Sequence, residues 1–401
     1  MSMQRFDIVV AGGGMVGAAC ALALAREGFS VALVERHAPR PLQPGDPPEL
    51  RVVALSLASE RLLRRLGAWE YMESVRTSPY TDMHVWDADF EGVHFDAAEI
   101  GESFLGHIVE NRLVQHALWQ RFQEADNATC LCPAAIAQAT PQDDGIDIEL
   151  EDGRRLRAAL LVAADGAASP LREAFGIPVE RGDYGQRGIV GVIRTQKPHQ
   201  ATAWQHFLPT GPLAFLPLAD GSISIVWSAE SSEAARLLAL PDDEFRAELG
   251  KASDHVLGEV TECGPRASFP LRRQHAKTYV HERAVLIGDA AHVIHPLAGQ
   301  GANLGFMDVA TLVEVLVDAR QSGRDFAQAR VLRRYERRRR GDNATVMWAM
   351  EGFHRLFSNE DRTLGWLRNA GFRVFDRSGG LKRYIVRQAM GLRDDLPALV
   401  R

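Results

Sequence analysis

The first 35 residues show an apolar pattern that predicts a strand, a helix and a second strand. Residues 6–11 form a short run rich in β-branched side chains, which is typical of a buried strand. Residues 17–28 are mostly small and apolar, and Gly28 is a natural end for a helix. Residues 29–35 favour a strand again. The chain is therefore predicted to begin with a βαβ unit of about thirty residues.

The next 130 or so residues alternate between predicted loops, helices and strands. Residues 37–48 hold five prolines and are expected to form a loop. Helices are predicted for residues 59–66, which close at Gly67, and for residues 111–125. Residues 146–161 read as a hairpin that turns at residues 152–153 and ends in a buried strand.

From about residue 183 to 269 the pattern changes, and short strand-like runs are separated by glycine and proline turns. These runs predict an antiparallel sheet, and hence a second domain, with one helical insert near residues 232–249. A buried strand follows at residues 284–287. Helices are then predicted for residues 305–320 and 326–340, and the remainder to residue 401 is expected to be mostly helical.

The amino-acid composition argues against several classes of protein function. The chain has 401 residues, of which 46% are hydrophobic and 24% charged, as in ordinary globular proteins. A net charge of -6 argues against nucleic acid as the main partner. The four cysteines are too few for a disulfide scaffold, and no cysteine or histidine pair has metal-ligand spacing. We therefore expect free thiols, no metal site and a cytoplasmic location.

Residues 8–25 carry no charge and imitate a membrane span in length. Three consecutive glycines interrupt this segment after a strand-like run, so a strand, a tight turn and a helix explain it better. The basic region of a signal peptide is also missing. We expect no transmembrane segment and leave open a peripheral contact with the inner membrane.

Gly12, Gly14 and Gly17 follow the GxGxxG pattern of a dinucleotide-binding turn, placed between the first predicted strand and helix. The glycines permit a tight turn, close approach of a pyrophosphate and helix–strand packing, while the helix N-terminus favours the phosphates. Glu35 ends the second strand, where its carboxylate can accept ribose hydroxyl hydrogens. The alternative is an incidental glycine-rich turn. This motif alone does not separate FAD from NAD.

Two later segments favour a flavin. Asp289 follows the buried strand at residues 284–287, so its carboxylate is expected where ligands bind in open α/β sheets, within reach of sugar-like hydroxyls. Residues 296–305 are glycine-rich and are predicted to form a loop whose N–H groups lie against a flat ring. For Asp289 the competing interpretation is a helix N-cap.

Together with residues 164–169, these segments resemble the group A flavoprotein aromatic monooxygenases over nearly the whole chain. The resemblance implies that Asp165 and Gly166 contact both FAD and a pyridine nucleotide. It implies that Asp289 binds the sugar chain of the flavin, and that Gln300 and its neighbours border the ring. The implied cofactor-binding set is Gly12, Gly14, Val16, Gly17, Glu35, Arg36, Arg51, Arg112, Asp165, Gly166, Asp289, Pro296, Gly299, Gly301, Ala302 and Asn303.

A narrower resemblance is to the ubiquinone-biosynthesis hydroxylases, carried by residues 51–56, 66–69, 106–111, 295–301 and 387–392. Residues 85–87 and 193–195 and the C-terminal segment are most similar to the members that hydroxylate ring carbon 5. Two positions depart from the family pattern: Ala302 stands where valine is expected, and Ala168 stands where asparagine is expected.

The resemblance implies an α/β fold with a Rossmann-like FAD-binding domain, an antiparallel-sheet substrate domain and a helical C-terminus. The expected FAD-binding domain comprises residues 1–79, 105–182 and 270–335. The expected substrate domain comprises residues 80–104 and 183–269, and residues 336–401 form the helical C-terminus. The implied activity is hydroxylation of a polyprenyl phenol at C5, with bound FAD, transient NAD(P)H and O2. A homo-oligomer and contacts with other ubiquinone-biosynthesis proteins are also expected.

Several alternatives stay open. The same chemistry could act at C6 or C1 of the ring, or on another small aromatic compound, and a non-catalytic lipid-binding scaffold is a further alternative. A flavin halogenase would need a Trp-x-Trp segment, and a plain NAD dehydrogenase would leave two motifs unexplained. Arg112 could be a solvated helical arginine, and the arginine-rich residues 333–340 favour a solvated face in which Glu336 pairs locally. His292 and His295 receive no assigned role.

Overall fold

The computed structural model describes residues 3–43, 45–87, 90–294, 301–357, 378–392 and 395–401. The helices are α1 (Met15–Arg26), α2 (Leu57–Arg65), α3 (Trp69–Val75), α4 (Asn111–Gln123), α5 (Pro170–Ala174), α6 (Ser231–Ala239), α7 (Asp242–Ala252), α8 (Gly301–Gln321), α9 (Ala329–Phe357) and α10 (Gly380–Ala389).

The strands follow the same chain order. They are β1 (Gln4–Ala11), β2 (Val31–Val34), β3 (Val52–Ser56), β4 (Ser78–Tyr80), β5 (Asp82–Asp87), β6 (Phe90–Asp96), β7 (Gly106–Glu110), β8 (Ala128–Leu131), β9 (Ile136–Gln142), β10 (Gly145–Leu150), β11 (Arg155–Ala163), β12 (Val179–Thr195), β13 (Thr202–Leu208), β14 (Gly211–Pro217), β15 (Ile223–Glu230), β16 (Val260–Ala276), β17 (Val280–His281), β18 (Ala284–Leu286) and β19 (His292–Val293).

The first sheet has the path β17-β18-β11-β1-β2-β8, with β10 and β9 continuing from β11. Strands β1, β2, β8, β11 and β18 pair in parallel, as strands joined by helical crossovers do. Helix α1 is made of small residues and is buried along almost its whole length, which brings it close to the sheet. The predicted βαβ unit and the hairpin at residues 146–161 are both confirmed.

The second sheet has the path β19-β16-β12-β15-β14-β13-β5-β6. The predicted antiparallel arrangement is confirmed except at one pair, because β13 runs parallel to β5. That exception arises because β5 enters this sheet from an earlier part of the chain. The predicted single helical insert is instead two helices, α6 and α7, which pack against one face of the sheet.

A third, three-stranded sheet with the path β3-β7-β4 lies beside helices α2 and α8. Helix α8 begins at Gly301, so the prediction of a loop as far as residue 305 was wrong. Gly305 lies inside this helix, and its lack of a side chain leaves room for Val16 of helix α1. The fold class is as expected, whereas the domain limits given above stay a prediction.

Candidate active site

A cavity of about 860 Å³ lies between the first and second sheets. It is bounded by the start of helix α1, strand β3, the turn after strand β18 and the start of helix α8. Residues from the predicted cofactor set that line it are Gly14, Val16, Gly17, Arg51, Gly166, Asp289, Gly301 and Ala302. The three motifs, which are far apart in sequence, therefore meet at one cavity.

The glycine-rich turn has the close contacts that its sequence predicts. Gly12 has φ +99°, and a Cβ there would lie 2.3 Å from the carbonyl oxygen of Ala164. A Cβ on Gly17 would lie 1.9 Å from the carbonyl oxygen of Gly12. At Gly14, by contrast, an added Cβ would meet nothing within 4 Å, and no side chain caps helix α1. The helix N-terminus therefore faces open space, as an anion site requires.

Gly13 is held by three side chains from other elements. Its N–H donates to Oε2 of Glu35 at 2.6 Å, and its carbonyl oxygen accepts hydrogen bonds from Gln115 Nε2 and Trp119 Nε1, both at 2.7 Å. Glu35 also accepts from His37 N–H at 3.0 Å. Gln115 and Trp119 were not predicted as site residues. Their four-residue spacing with Asn111 along helix α4 was the signal, because such residues share one helix face.

Asp165 and Gly166 follow the end of strand β11, and Gly166 lines the cavity. Asp165 Oδ2 accepts from Leu171 N–H at 3.1 Å, while its buried Oδ1 has no hydrogen-bond partner among the described residues. Burial raises the pKa of the Asp165 carboxyl. Gly166 adopts φ +87°, a conformation that favours glycine.

Asp289 lies in a short 3-10 turn over Gly288–Ala290, and its carboxylate is open to the cavity. It caps no helix, so the competing N-cap interpretation is not supported. The surrounding protein raises the pKa of the Asp289 carboxyl by desolvation, against the opposing charges of His292 and Arg51. An acceptor held this way, without a hydrogen-bond partner among the described residues, suits a ligand that brings its own hydroxyl donors.

The three arginines that were predicted to bind the cofactor lie in three different environments. Arg51 lines the main cavity and also an adjoining cavity of about 880 Å³. Arg112 lines only the adjoining cavity, where it pairs with Asp46 at 3.2 Å and Glu49 at 2.9 Å, so the solvated alternative for Arg112 was wrong. Arg36 pairs with Glu151 at an exposed position.

Asn303 ties helix α8 to strand β3. Its Oδ1 accepts from Ser56 N–H at 3.0 Å and from the Ser59 hydroxyl at 2.7 Å, and its Nδ2 donates to Ala54 at 2.8 Å. The side-chain amide is thus engaged with protein groups, and the predicted role of Asn303 in binding the cofactor stays a prediction. The predicted residues Pro296, Gly299 and Gln300, and also His295, lie outside the described residues.

The second sheet presents two different faces. Strand β14 directs Leu213 and Phe215 into the core under helices α6 and α7, whereas Pro212, Ala214 and Leu216 line the cavity. Alternation of this kind is the normal consequence of the strand repeat of two. The neighbouring strands add small or apolar groups to the cavity wall, namely Val190, Ala203, Val226 and Ala267. The cavity therefore has a cofactor side and a mainly apolar side, to which Gln205, Ser228 and Ser268 add a few polar groups.

The arginine-rich start of helix α9 is not a uniformly solvated face, as had been expected. Arg339 is buried and its Nε donates to Asp308 at 2.8 Å. Glu336 accepts hydrogen bonds from Thr278 and from Tyr279 N–H instead of pairing with its arginine neighbours. These corrections follow from the packing of helix α9 on helix α8 and on the segment between strands β16 and β17, which no local charge pattern reveals.

Comparison with known proteins shows the family to which this chain belongs. Residues 5–349 match the family described as FAD binding domain, and the chain belongs to that family. The protein is an FAD-dependent monooxygenase. The open helix N-terminus and the cavity-facing Asp289 carboxylate fit such a cofactor, and the predicted contact of Asp165 with FAD stays a prediction.

Two relatives match over almost their full length. The chain is 40% identical over 98% of its length to the whole of the 3-demethoxyubiquinol 3-hydroxylase of Escherichia coli (strain K12). It is 39% identical over 98% of its length to 92% of the ubiquinone hydroxylase UbiL of Rhodospirillum rubrum.

Among solved structures, p-nitrophenol 4-monooxygenase PnpA from Pseudomonas putida DLL-E4 superposes with a TM-score of 0.79 and 20% identity. The alignment covers 97% of this chain and 99% of that one, and it shows the shared fold. Within the described part of the chain, no helix combines the length and apolarity needed to cross a membrane.

Proposed function

We propose that this protein hydroxylates the aromatic ring of a polyprenyl phenol in ubiquinone biosynthesis, using NAD(P)H and O2. The observation that carries the proposal is the cavity itself, in which the flavin motifs face a wall of small apolar residues. Two nearly full-length relatives named as ubiquinone-pathway hydroxylases support the same substrate class.

When bound, FAD supplies the redox chemistry, and the residues of this chain bind, orient and shield the reactants. The N-terminus of helix α1 and Gly14 would hold the pyrophosphate, and Glu35 the ribose. Asp289 would accept hydrogens from the sugar chain. In the described part of the cavity wall the titratable side chains are Arg51, Tyr80 and Asp289. Few side chains are thus available for acid–base work, and exclusion of water by the apolar wall is the main contribution of the protein.

For the ring position, we propose C5, on the resemblance of residues 85–87, 193–195 and the C-terminal segment to C5 hydroxylases. A second candidate is the position acted on by 3-demethoxyubiquinol 3-hydroxylase, favoured by the 40% identity to that enzyme. The two candidates would use the same cofactor site and differ in their aromatic substrate and in the ring carbon that is hydroxylated.

Mass spectrometry of quinone lipids in cells lacking the gene tests both candidates. Accumulation of a prenylphenol without the C5 oxygen, reversed by a complementing copy, supports C5. Accumulation of 3-demethoxyubiquinol supports the second candidate. Unchanged ubiquinone in a strain with no second hydroxylase gene would overturn the ubiquinone proposal. A purified protein that binds FAD but oxidises no NAD(P)H with any prenylphenol would favour the scaffold alternative.

We further propose that the lipid substrate reaches the cavity from the surface of the inner membrane or from another ubiquinone-biosynthesis protein, and that the chain forms a homo-oligomer. Flotation of the purified protein with anionic vesicles, and its mass in solution by light scattering, test these two points. Failure to float would overturn delivery from the membrane surface and leave delivery by another protein, and a monomeric mass would overturn the homo-oligomer.

A further inference from the structure

A buried carboxylate lies directly behind the turn that carries Asp289. Asp308, on helix α8, is fully buried. Its Oδ2 accepts from Gly288 N–H at 3.0 Å and from His292 Nε2 at 2.6 Å. Its Oδ1 accepts from Arg339 Nε at 2.8 Å and from Asn343 Nδ2 at 3.3 Å. All four acceptor positions of the carboxylate are therefore engaged.

The four donors to Asp308 come in two pairs from different parts of the chain. Gly288 and His292 flank Asp289 in the chain, whereas Arg339 and Asn343 both belong to helix α9. Asp308, which belongs to helix α8, thus joins the turn at the cavity to helix α9. Gly288 adopts φ +57°, a left-handed conformation that glycine takes readily, and its N–H donates to Asp308 in that conformation.

Burying a charged carboxylate costs free energy, so a geometric requirement is the better explanation for its presence here. Burying an ion pair is often no better for stability than an apolar replacement of the same volume. The carboxylate here selects one orientation of the turn, since only an acceptor at that point can receive both Gly288 N–H and His292. An apolar side chain of equal size would fill the space without fixing the direction of the Asp289 side chain.

We propose that Asp308 is a positioning residue for the flavin site: by binding Gly288 N–H and His292, it holds the Asp289 carboxylate toward the cavity. Asp308 touches neither substrate nor cofactor, and it acts through Asp289. The inference depends on FAD occupying the cavity and is independent of which ring position is hydroxylated.

The test measures the FAD dissociation constant of the apoprotein by flavin fluorescence, for Asp308→Asn, Asp289→Asn and the double variant. Loss of one charge-assisted hydrogen bond is expected to weaken FAD binding about tenfold in each single variant. If Asp308 acts through Asp289, the double variant is no weaker than Asp289→Asn alone. An unchanged dissociation constant in Asp308→Asn, or additive effects in the double variant, would overturn the proposal.

The matched control is Asp318→Asn, because Asp318 lies on the same helix but pairs at the surface with Arg334 at 3.5 Å. This variant is expected to bind FAD as the wild type does. If Asp308→Asn yields no folded apoprotein, His292→Gln and His292→Leu carry the test instead. Glutamine keeps an N–H donor for Asp308 and should retain FAD binding and the visible flavin spectrum, whereas leucine should lose affinity. Equal affinity in both His292 variants would contradict the proposal.

Discussion

Val16 packs directly against Gly305, so that a Cβ placed on Gly305 would lie only 2.5 Å from Cγ2 of Val16. A Cβ on Gly288 would likewise lie 3.1 Å from Cγ1 of the same valine. Val16 belongs to the GxGxxG segment, Gly288 to the turn with Asp289, and Gly305 to helix α8. One isopropyl group therefore sets the distance between the three segments that form the cofactor side of the cavity.

Gly305→Ala should destabilise the protein by about 1–3 kcal/mol, because the added methyl forces helix α8 away from helix α1. Urea unfolding of the apoprotein measures the effect. Gly341→Ala is the matched control, since Gly341 is also helical and an added Cβ meets nothing within 4 Å. That variant should gain about 0.5–1 kcal/mol of stability. A loss of stability at Gly341, or none at Gly305, would contradict the packing argument.

Asp289→Asn should weaken FAD binding and yet stabilise the apoprotein at neutral pH. The raised pKa of Asp289 means that its ionised form is disfavoured in the folded chain. The cost is present above the raised folded-state pKa and disappears as pH falls below the ordinary value of 3.8. Thermal unfolding of both apoproteins at pH 7 and near pH 4 should therefore show a difference that shrinks with acid. A difference that is constant with pH would exclude ionisation of Asp289 as the cause.

Arg339→Met should cost about 3–5 kcal/mol, because it leaves the buried Asp308 carboxylate without its cation. Burial alone would raise the pKa of Asp308, but the charges of His292 and Arg339 and their hydrogen bonds bring it to about 2. The stabilisation is complete above the ordinary value of 3.8 and is lost as pH falls toward 2. Denaturant unfolding at pH 7 and pH 3 should show the larger penalty at pH 7.

The adjacent arginine supplies the control for that measurement. Arg338 pairs with Glu314 at an exposed position, so Arg338→Met should cost less than about 1 kcal/mol at either pH. Similar penalties for the two arginine variants would show that burial of the pair contributes little.

Trp119→Phe should cost about 1–3 kcal/mol, because the Gly13 carbonyl loses a buried hydrogen bond of 2.7 Å. Trp69 provides a matched comparison, since its buried Nε1 has no hydrogen-bond partner among the described residues. Trp69→Phe removes about the same volume without breaking such a bond, and its cost should be clearly smaller. FAD affinity should fall only in the Trp119 variant, as titration of the two apoproteins can show.

Ala214→Phe should block the apolar side of the cavity while leaving the cofactor side intact. We expect turnover of a prenylphenol to fall about tenfold or more, which corresponds to roughly 1.4 kcal/mol of lost transition-state stabilisation. FAD affinity should stay within about twofold of the wild type, and Ala214→Val should give an intermediate rate. Full turnover in the phenylalanine variant would place the substrate elsewhere.

Much of the cofactor side of the cavity could be predicted from sequence. Gly12, Gly14 and Asp289 lie where the strand, turn and helix patterns place ligand-binding residues. Local sequence patterns gave wrong predictions where a contact with a residue distant in sequence determines the structure. Gly305 was expected to mark the change from loop to helix, but it lies within helix α8, where the lack of a side chain leaves room for Val16. Arg339 was expected in solvent, but it is buried because Asp308, 31 residues earlier in the chain, requires a cation. Neither partner can be inferred from a window of neighbouring residues.

The alternation along strand β14 assigns two tasks to different residues: holding the sheet in its fold and shaping the cavity that a substrate meets. In many enzymes the same residues must do both. Changes at Leu213 and Phe215 alter how firmly the sheet is held, whereas changes at Ala214 and Leu216 alter the shape that a substrate meets. A lineage carrying this fold can therefore change which aromatic compound it accepts through single substitutions on one face. The packing that keeps the sheet folded is left untouched, which makes substrate choice the more evolvable property of the two.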